Sequence, residues 1–91
     1  MIFEKKSSFD RSWKGLSQTR KERAMAALEK LVSFFEGGSK PEGLGLKKLR
    51  HDFWEIRTDL KDRILFRLHS NHVEFVLIGN HDEIHRILKR V

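Results

Sequence analysis

The chain contains no cysteine and no tyrosine, a single proline, and no apolar run long enough to cross a bilayer. Without cysteine there is no disulfide staple, no thiol nucleophile and no zinc–thiolate site. The opening Met1-Ile2-Phe3-Glu4-Lys5-Lys6 leads into no apolar stretch of the secretory kind. The expectation is a soluble cytoplasmic protein with no membrane partner. Acid is also in short supply: 13 Asp plus Glu stand against 19 Lys plus Arg, for a net charge of +6 and an isoelectric point near 10.0. That balance favours phosphate-rich or acidic-protein partners, although ordinary solubilising charge gives the same sum.

What is present suffices for one domain spanning residues 1–91. A chain of this length buries roughly 60–65% of its unfolded surface around one core. Seven Phe and two Trp within a 38% hydrophobic content can fill that core, and 35% charged residues can solvate the outside. There is no internal repeat and no low-complexity tract.

The apolar period assigns the elements. Ile2 to Lys5 reads as a short strand, and Ser7 or Ser8 as the cap of a brief helix carrying Phe9, Trp13 and Leu16 on one side. After a break at Gly15, Thr19 and Glu22 have capping-box spacing. Ala24, Ala27, Leu28, Leu31, Phe34 and Phe35 then recur at three- and four-residue intervals, giving a helix over about residues 18–36. Gly37-Gly38-Ser39-Lys40-Pro41-Glu42-Gly43 ends it in a loop.

Beyond Gly45 the period becomes two. Leu46–Arg50 is a weak strand, followed by strands at 53–58 and 63–69, with Ile56, Ile64 and Phe66 on one face and Arg57, Arg63 and Arg67 on the other. In His72–Gly79, Val73, Phe75 and Leu77 alternate with Val76 and Ile78, the mark of a strand covered on both faces and central or nearly so. Asn80 and Glu83 can cap a last helix with Ile84, Ile87, Leu88 and Val91 along one stripe. The class is α+β: a small antiparallel sheet with helices packed on one face and the other face left for a ligand.

Two clusters on this scaffold invite chemistry. His81 and His85 lie four apart on a helix, as zinc binding requires. However, the glutamate of the zinc-protease pattern is displaced, since Asp82 follows His81 and Glu83 comes next, and no third ligand is marked. Metal is therefore not expected. Arg57, Arg63 and Arg67 on adjacent strands, joined by Lys47, Lys48 and Arg50, suit phosphate recognition, because each guanidinium is a planar, permanently charged fork of donors. A solvated face paired with Glu55, Asp59 and Asp62 is the competing account. Of the five histidines, His81 stands out: it lies just past a buried strand, next to Gly79 and a helix start. Phe9, Trp13, Phe34 and Phe35 are expected in the core rather than on a partner surface.

The succession Leu46-Lys47-Lys48-Leu49-Arg50, Phe53-Trp54-Glu55-Ile56-Arg57, Asp62-Arg63-Ile64-Leu65-Phe66-Arg67 and Val76-Leu77-Ile78-Gly79-Asn80-His81 resembles the RelE/ParE superfamily of bacterial and archaeal toxins, and its Gly-x-His resembles the YafQ-like members. The likeness covers about residues 44–90, and the two preceding helices suit the family's helical hairpin. It implies a RelE-like fold and the toxin of a toxin–antitoxin pair, silenced by a cognate acidic antitoxin. It further implies a ribosome-dependent messenger RNA endoribonuclease that inhibits translation without metal or other cofactor. In such enzymes the ribose 2′-oxygen attacks the adjacent phosphate.

By the same resemblance Arg57 and Arg63 stabilise the phosphate and transition state, and His81 does acid/base work, which an imidazole can do near neutral pH. Asp62 orients a catalytic side chain, and Lys47, Lys48, Arg50 and Arg67 bind RNA. This chain departs from RelE in carrying Phe53 and Glu55 where RelE has lysines, and in lacking the C-terminal tyrosine of many members. The proton donor then falls to His81 first and His85 second, with Glu55 as a candidate base. A ParE-like gyrase poison and a non-catalytic basic interaction module are the alternatives.

Overall fold

A computed structural model of the chain describes all 91 residues. In chain order they form β1 (Ile2–Lys5), α1 (Ser7–Lys14), α2 (Gln18–Phe35), β2 (Lys47–Lys48), β3 (Phe53–Arg57), β4 (Arg63–His69), β5 (His72–Gly79) and α3 (His81–Leu88). One sheet gathers all five strands in the order β1-β5-β4-β3-β2. The α+β class and the order of elements are as the sequence predicts. The sheet is nonetheless mixed rather than purely antiparallel, because β1 runs parallel to β5 with Ile2 beside His72 and Lys5 beside Phe75.

The helices do not all share one face, which corrects the expected arrangement. The α1 and α2 side chains Phe9, Ala24, Ala27 and Leu31 pack on Ile56, Ile64, Phe66, Val73, Phe75 and Ile78. Helix α3 instead puts Ile84 and Leu88 against Phe53, Leu65 and Val76, which belong to a separate cluster. A fully buried side chain of this size contributes about 1.5–3 kcal/mol, so α3 is held firmly by two of them. The face expected to be open is therefore half roofed, and α3 forms one wall of whatever binds there.

Strand β5 lies between β1 and β4 and is buried on both faces, as its composition requires. Its alternation breaks once. Leu65 pairs with Leu77 but Phe66 pairs with Phe75, leaving Val76 as an extra residue in a bulge. The phase resets there: Ile78 joins Val73 and Phe75 on the α1/α2 side, while Leu77 packs with Val76 under α3. Strict alternation had placed Leu77 and Ile78 on the opposite faces.

The caps explain how the helices begin. Asn80 and Glu83 form the expected capping box: Asn80 Oδ1 accepts from Glu83 N at 2.9 Å, and Glu83 Oε1 accepts from Asn80 N at 3.0 Å. Helix α2 is capped by Ser17, whose hydroxyl accepts from Arg20 N at 3.3 Å, rather than by a Thr19–Glu22 box. Neither Ser7 nor Ser8 caps α1; Lys6 occupies the cap position without a side-chain bond. Ser8 Oγ instead donates to Val76 O at 2.5 Å, and Ser12 Oγ accepts from Ile78 N at 3.0 Å. Where β1 ends, α1 thus takes over the hydrogen bonds of β5 that no neighbouring strand fulfils.

Candidate functional site

Register places Lys47, Glu55, Arg57, Arg63, Leu65 and Arg67 on the sheet face that α3 crosses, because directly paired residues point the same way: Lys47 with Glu55, Glu55 with Leu65, Arg57 with Arg63 and Phe53 with Arg67. On α3, His81 and His85 are one turn apart with ring centroids 4.0 Å from each other, and both are exposed. Two grooves flank the helix on this side.

The first groove, of about 270 Å3, is lined by Leu60, Lys61, Arg63, Asn80, His81 and Asp82. It brings together Arg63 and His81, two of the residues singled out in the sequence. Below it, Arg63 Nη1 donates to Glu55 Oε2 at 2.6 Å. The Glu55 carboxylate is only 4% exposed and the Arg63 side chain 25% exposed, so the acid is sealed beneath the cation. Such a charge-assisted bond fixes the guanidinium's direction. Glu55 is placed to hold Arg63 rather than to reach a substrate proton.

The second groove, of about 320 Å3, contains Lys47, Lys48, Leu49, Arg50, His85, Leu88 and Lys89. No acidic side chain lines it, and none of its lysines or its arginine is ion-paired. Arg50 Nη1 donates to the Leu88 carbonyl at 3.4 Å, tying the groove's floor to the end of α3. His85 is thus shared: it touches His81 but lines the cationic groove. Lys89 was not anticipated, although its spacing of four from His85 and eight from His81 puts it on the same helical stripe.

The remaining candidates lie elsewhere. Asp62 is 4% exposed and accepts two bonds of 2.8 Å from Arg20 Nε and Nη2, on the α2 side of the sheet rather than beside Arg63. That hydrogen bonding holds the Arg20 guanidinium protonated even more firmly than usual. Arg67 donates to Asp52 at 3.2 and 2.9 Å, meets Glu74 at 3.5 Å and lies 5.6 Å over the Phe53 ring. Its bond to Asp52 pulls that carboxyl below the ordinary carboxylate range. Arg67 is consequently absorbed into a structural network. Arg57 is exposed, at the end of β3 against Gly45, in a depression with Arg23, Lys30 and Thr58 rather than in the Arg63–His81 groove. No group of three or more His, Cys, Asp or Glu side chains is placed to hold a metal ion. No helix is long and apolar enough to cross a membrane.

No sequence profile of a known protein family matches the chain, and no curated protein matches it by sequence. Solved structures do. A chain of the RelB–RelE antitoxin–toxin complex from Methanococcus jannaschii superposes with a TM-score of 0.71 at 17% identity, covering 96% of this chain and 98% of that one. A metal-bound toxin from Helicobacter pylori gives 0.69 at 18% identity, covering 92% and 98%. YafQ from Escherichia coli gives 0.62 at 13% identity, covering 90% and 94%. Near-complete coverage in both directions means that the whole architecture, not one motif, is shared: the chain has the fold of the RelE-type toxins.

Proposed function

We propose that this protein is the toxin of a toxin–antitoxin pair and that it cuts messenger RNA on the ribosome by internal attack of the ribose 2′-hydroxyl. The observation that carries the reading is the convergence of Arg63 and His81 on one groove, with Arg63 aimed by a buried carboxylate and an unpaired cationic groove alongside. A solvated face would pair its charges at the surface. Here the one acid beneath the groove is buried, while Lys47, Lys48, Arg50 and Lys89 are left without partners.

The chemistry is the one that the resemblance to RelE-type toxins implies, and the arrangement supplies groups for it. The 2′-oxygen bonds to phosphorus, the bond from phosphorus to the 5′-oxygen breaks, and a 2′,3′-cyclic phosphate and a 5′-hydroxyl result. The proton leaves the 2′-oxygen for a base and another reaches the departing 5′-oxygen. His81 supplies acid/base function at the groove, and His85, in contact with it, is the second imidazole available. Arg63 neutralises the extra charge on the phosphorane oxygens. Lys47, Lys48, Arg50 and Lys89 track the backbone of the strand, and an acidic antitoxin would compete for the same cations.

The test is cleavage of messenger RNA on purified ribosomes in chelator-treated buffer. Wild-type chain should leave 5′-hydroxyl ends at A-site codons. His81→Ala should slow the cut about 100- to 10,000-fold, and Arg63→Ala about 100- to 1,000-fold. Wild-type rates in both variants would remove the site from contention, and DNA breaks with intact messages would select a gyrase poison instead.

A further inference from the structure

Leu60 is 94% exposed, the most exposed large apolar side chain of the fold, yet it stands on a turn that is anything but loose. Arg23 grips Asp59 at 2.8 Å and Arg20 grips Asp62 twice at 2.8 Å, so both shoulders of the turn are bolted to α2. Within it, Thr58 N donates to Asp62 O at 3.0 Å and Leu60 N to Asp59 Oδ1 at 2.8 Å. Leu60 lines the groove that holds Arg63 and His81, and also a second depression of about 430 Å3 on its other side, beside Arg20, Arg23 and Asn80. A lone exposed leucine needs no explanation. One whose backbone is held on the lip of a groove with otherwise charged or polar walls is different, since no ordering of the turn is needed when something lands on it.

We propose that Leu60 is a specificity-determining residue that packs on the nucleobase flanking the phosphate held between Arg63 and His81. This inference rests on the RNA-cleaving reading of the groove. The occupant follows from charge: against the one acid Asp82 the groove sets the two cations Arg63 and Lys61 with the imidazole of His81, and it has a single apolar side chain at its edge, a combination that matches one phosphate with one attached base. An apolar side chain against a base face recognises it by shape and stacking area, not by a hydrogen-bond pattern. Leu60 would therefore grade bases by size, purine over pyrimidine, without reading one base absolutely.

The experiment uses the full chain with Leu60→Ala and Leu60→Asn, neither of which disturbs a packed contact. On ribosome-bound messages differing only in the base flanking the cut, each variant should lose about tenfold in kcat/KM. The purine–pyrimidine ratio should narrow, and the salt dependence of binding should stay unchanged because no charge is altered. Unchanged rates and an unchanged base preference overturn the inference while leaving the cleavage reading intact; so does a defect confined to antitoxin binding, which would give the leucine a protein occupant. If the wild-type chain cuts no RNA, the cleavage reading fails and the inference is decided separately by the Leu60 methyl resonances. Titration with a trinucleotide carrying a 2′-deoxy residue at the cut should shift them, and silence there overturns it.

Discussion

Arg63 on β4 reaches diagonally across the ladder to Glu55 on β3 and bonds its buried carboxylate at 2.6 Å. The pair explains why a glutamate can stand in the middle of a strand whose neighbours are apolar. It also has an energetic consequence: truncating the arginine strands a carboxylate that is 4% exposed. Breaking a fully buried pair costs 3–5 kcal/mol, and the partial exposure of Arg63 lowers the expectation for Arg63→Ala to about 2 kcal/mol. Urea denaturation should show that loss, and the double variant Glu55→Gln/Arg63→Ala should recover most of it. Equal stability of the single and double variants would mean that the pair does not isolate Glu55 from water.

Gly79 is glycine for a different reason from those in the loops. A Cβ there would come within 2.9 Å of Glu83 Oε1 and 3.3 Å of Glu83 Cβ, because that side chain folds back over the strand end to close the capping box. Gly79→Ala should push Glu83 away, cost about 1 kcal/mol through the lost cap, and misplace His81 one residue into α3. Melting and cleavage should both suffer. Full activity would show that the box does not position the histidine.

The β5 amide at Ile78 leans on a serine 66 positions earlier in the chain, donating to Ser12 Oγ at 3.0 Å. Ser12→Ala takes that acceptor from a buried N–H and should lower stability by about 1–3 kcal/mol. Hydrogen exchange at Ile78 should accelerate selectively. If exchange there is unchanged, water fills the role.

Acid should loosen the link between β3, β4 and the turn before β3. Arg67, hydrogen-bonded to Asp52, depresses that carboxyl in the folded chain. A folded-state pKa below the unfolded one means that the contribution is complete above the unfolded value of about 3.9 and disappears as pH falls through the folded value. Asp52→Asn should therefore be less stable than wild type at neutral pH, with the gap closing below about pH 4. A gap that persists undiminished in strong acid would contradict the assignment.

Much of this is legible in the sequence. The two-residue period in 63–69 and the three- and four-residue period from Ala24 to Leu31 report burial directly, so the elements fall where the pattern says. Asn80 and Glu83 announce their own box because its partners are three residues apart. Contacts between distant segments leave no such trace. Nothing near Asp62 signals that Arg20 claims it, and nothing in the run Val76-Leu77-Ile78 marks the bulge, because all three are apolar and either phase buries them. The side on which α3 docks was hidden for the same reason: its Ile84–Leu88 stripe demands a partner face without naming one. For the candidate site, His81 and Arg63 were found by neighbours in sequence. The sealing of Glu55 was not, because burial of a charge depends on what crosses above it.

The parallel pairing of β1 with β5 has a consequence for how the protein comes into being. Ile2 finds its neighbour only in His72, and Ser8 and Ser12 wait for Val76 and Ile78. Pairings between chain ends are slow to form, and here the groove's last wall, α3, comes later still. The sheet edge and the groove beside α3 are therefore finished late in folding, and a chain caught before that point carries a fringe of unmatched donors in place of a site.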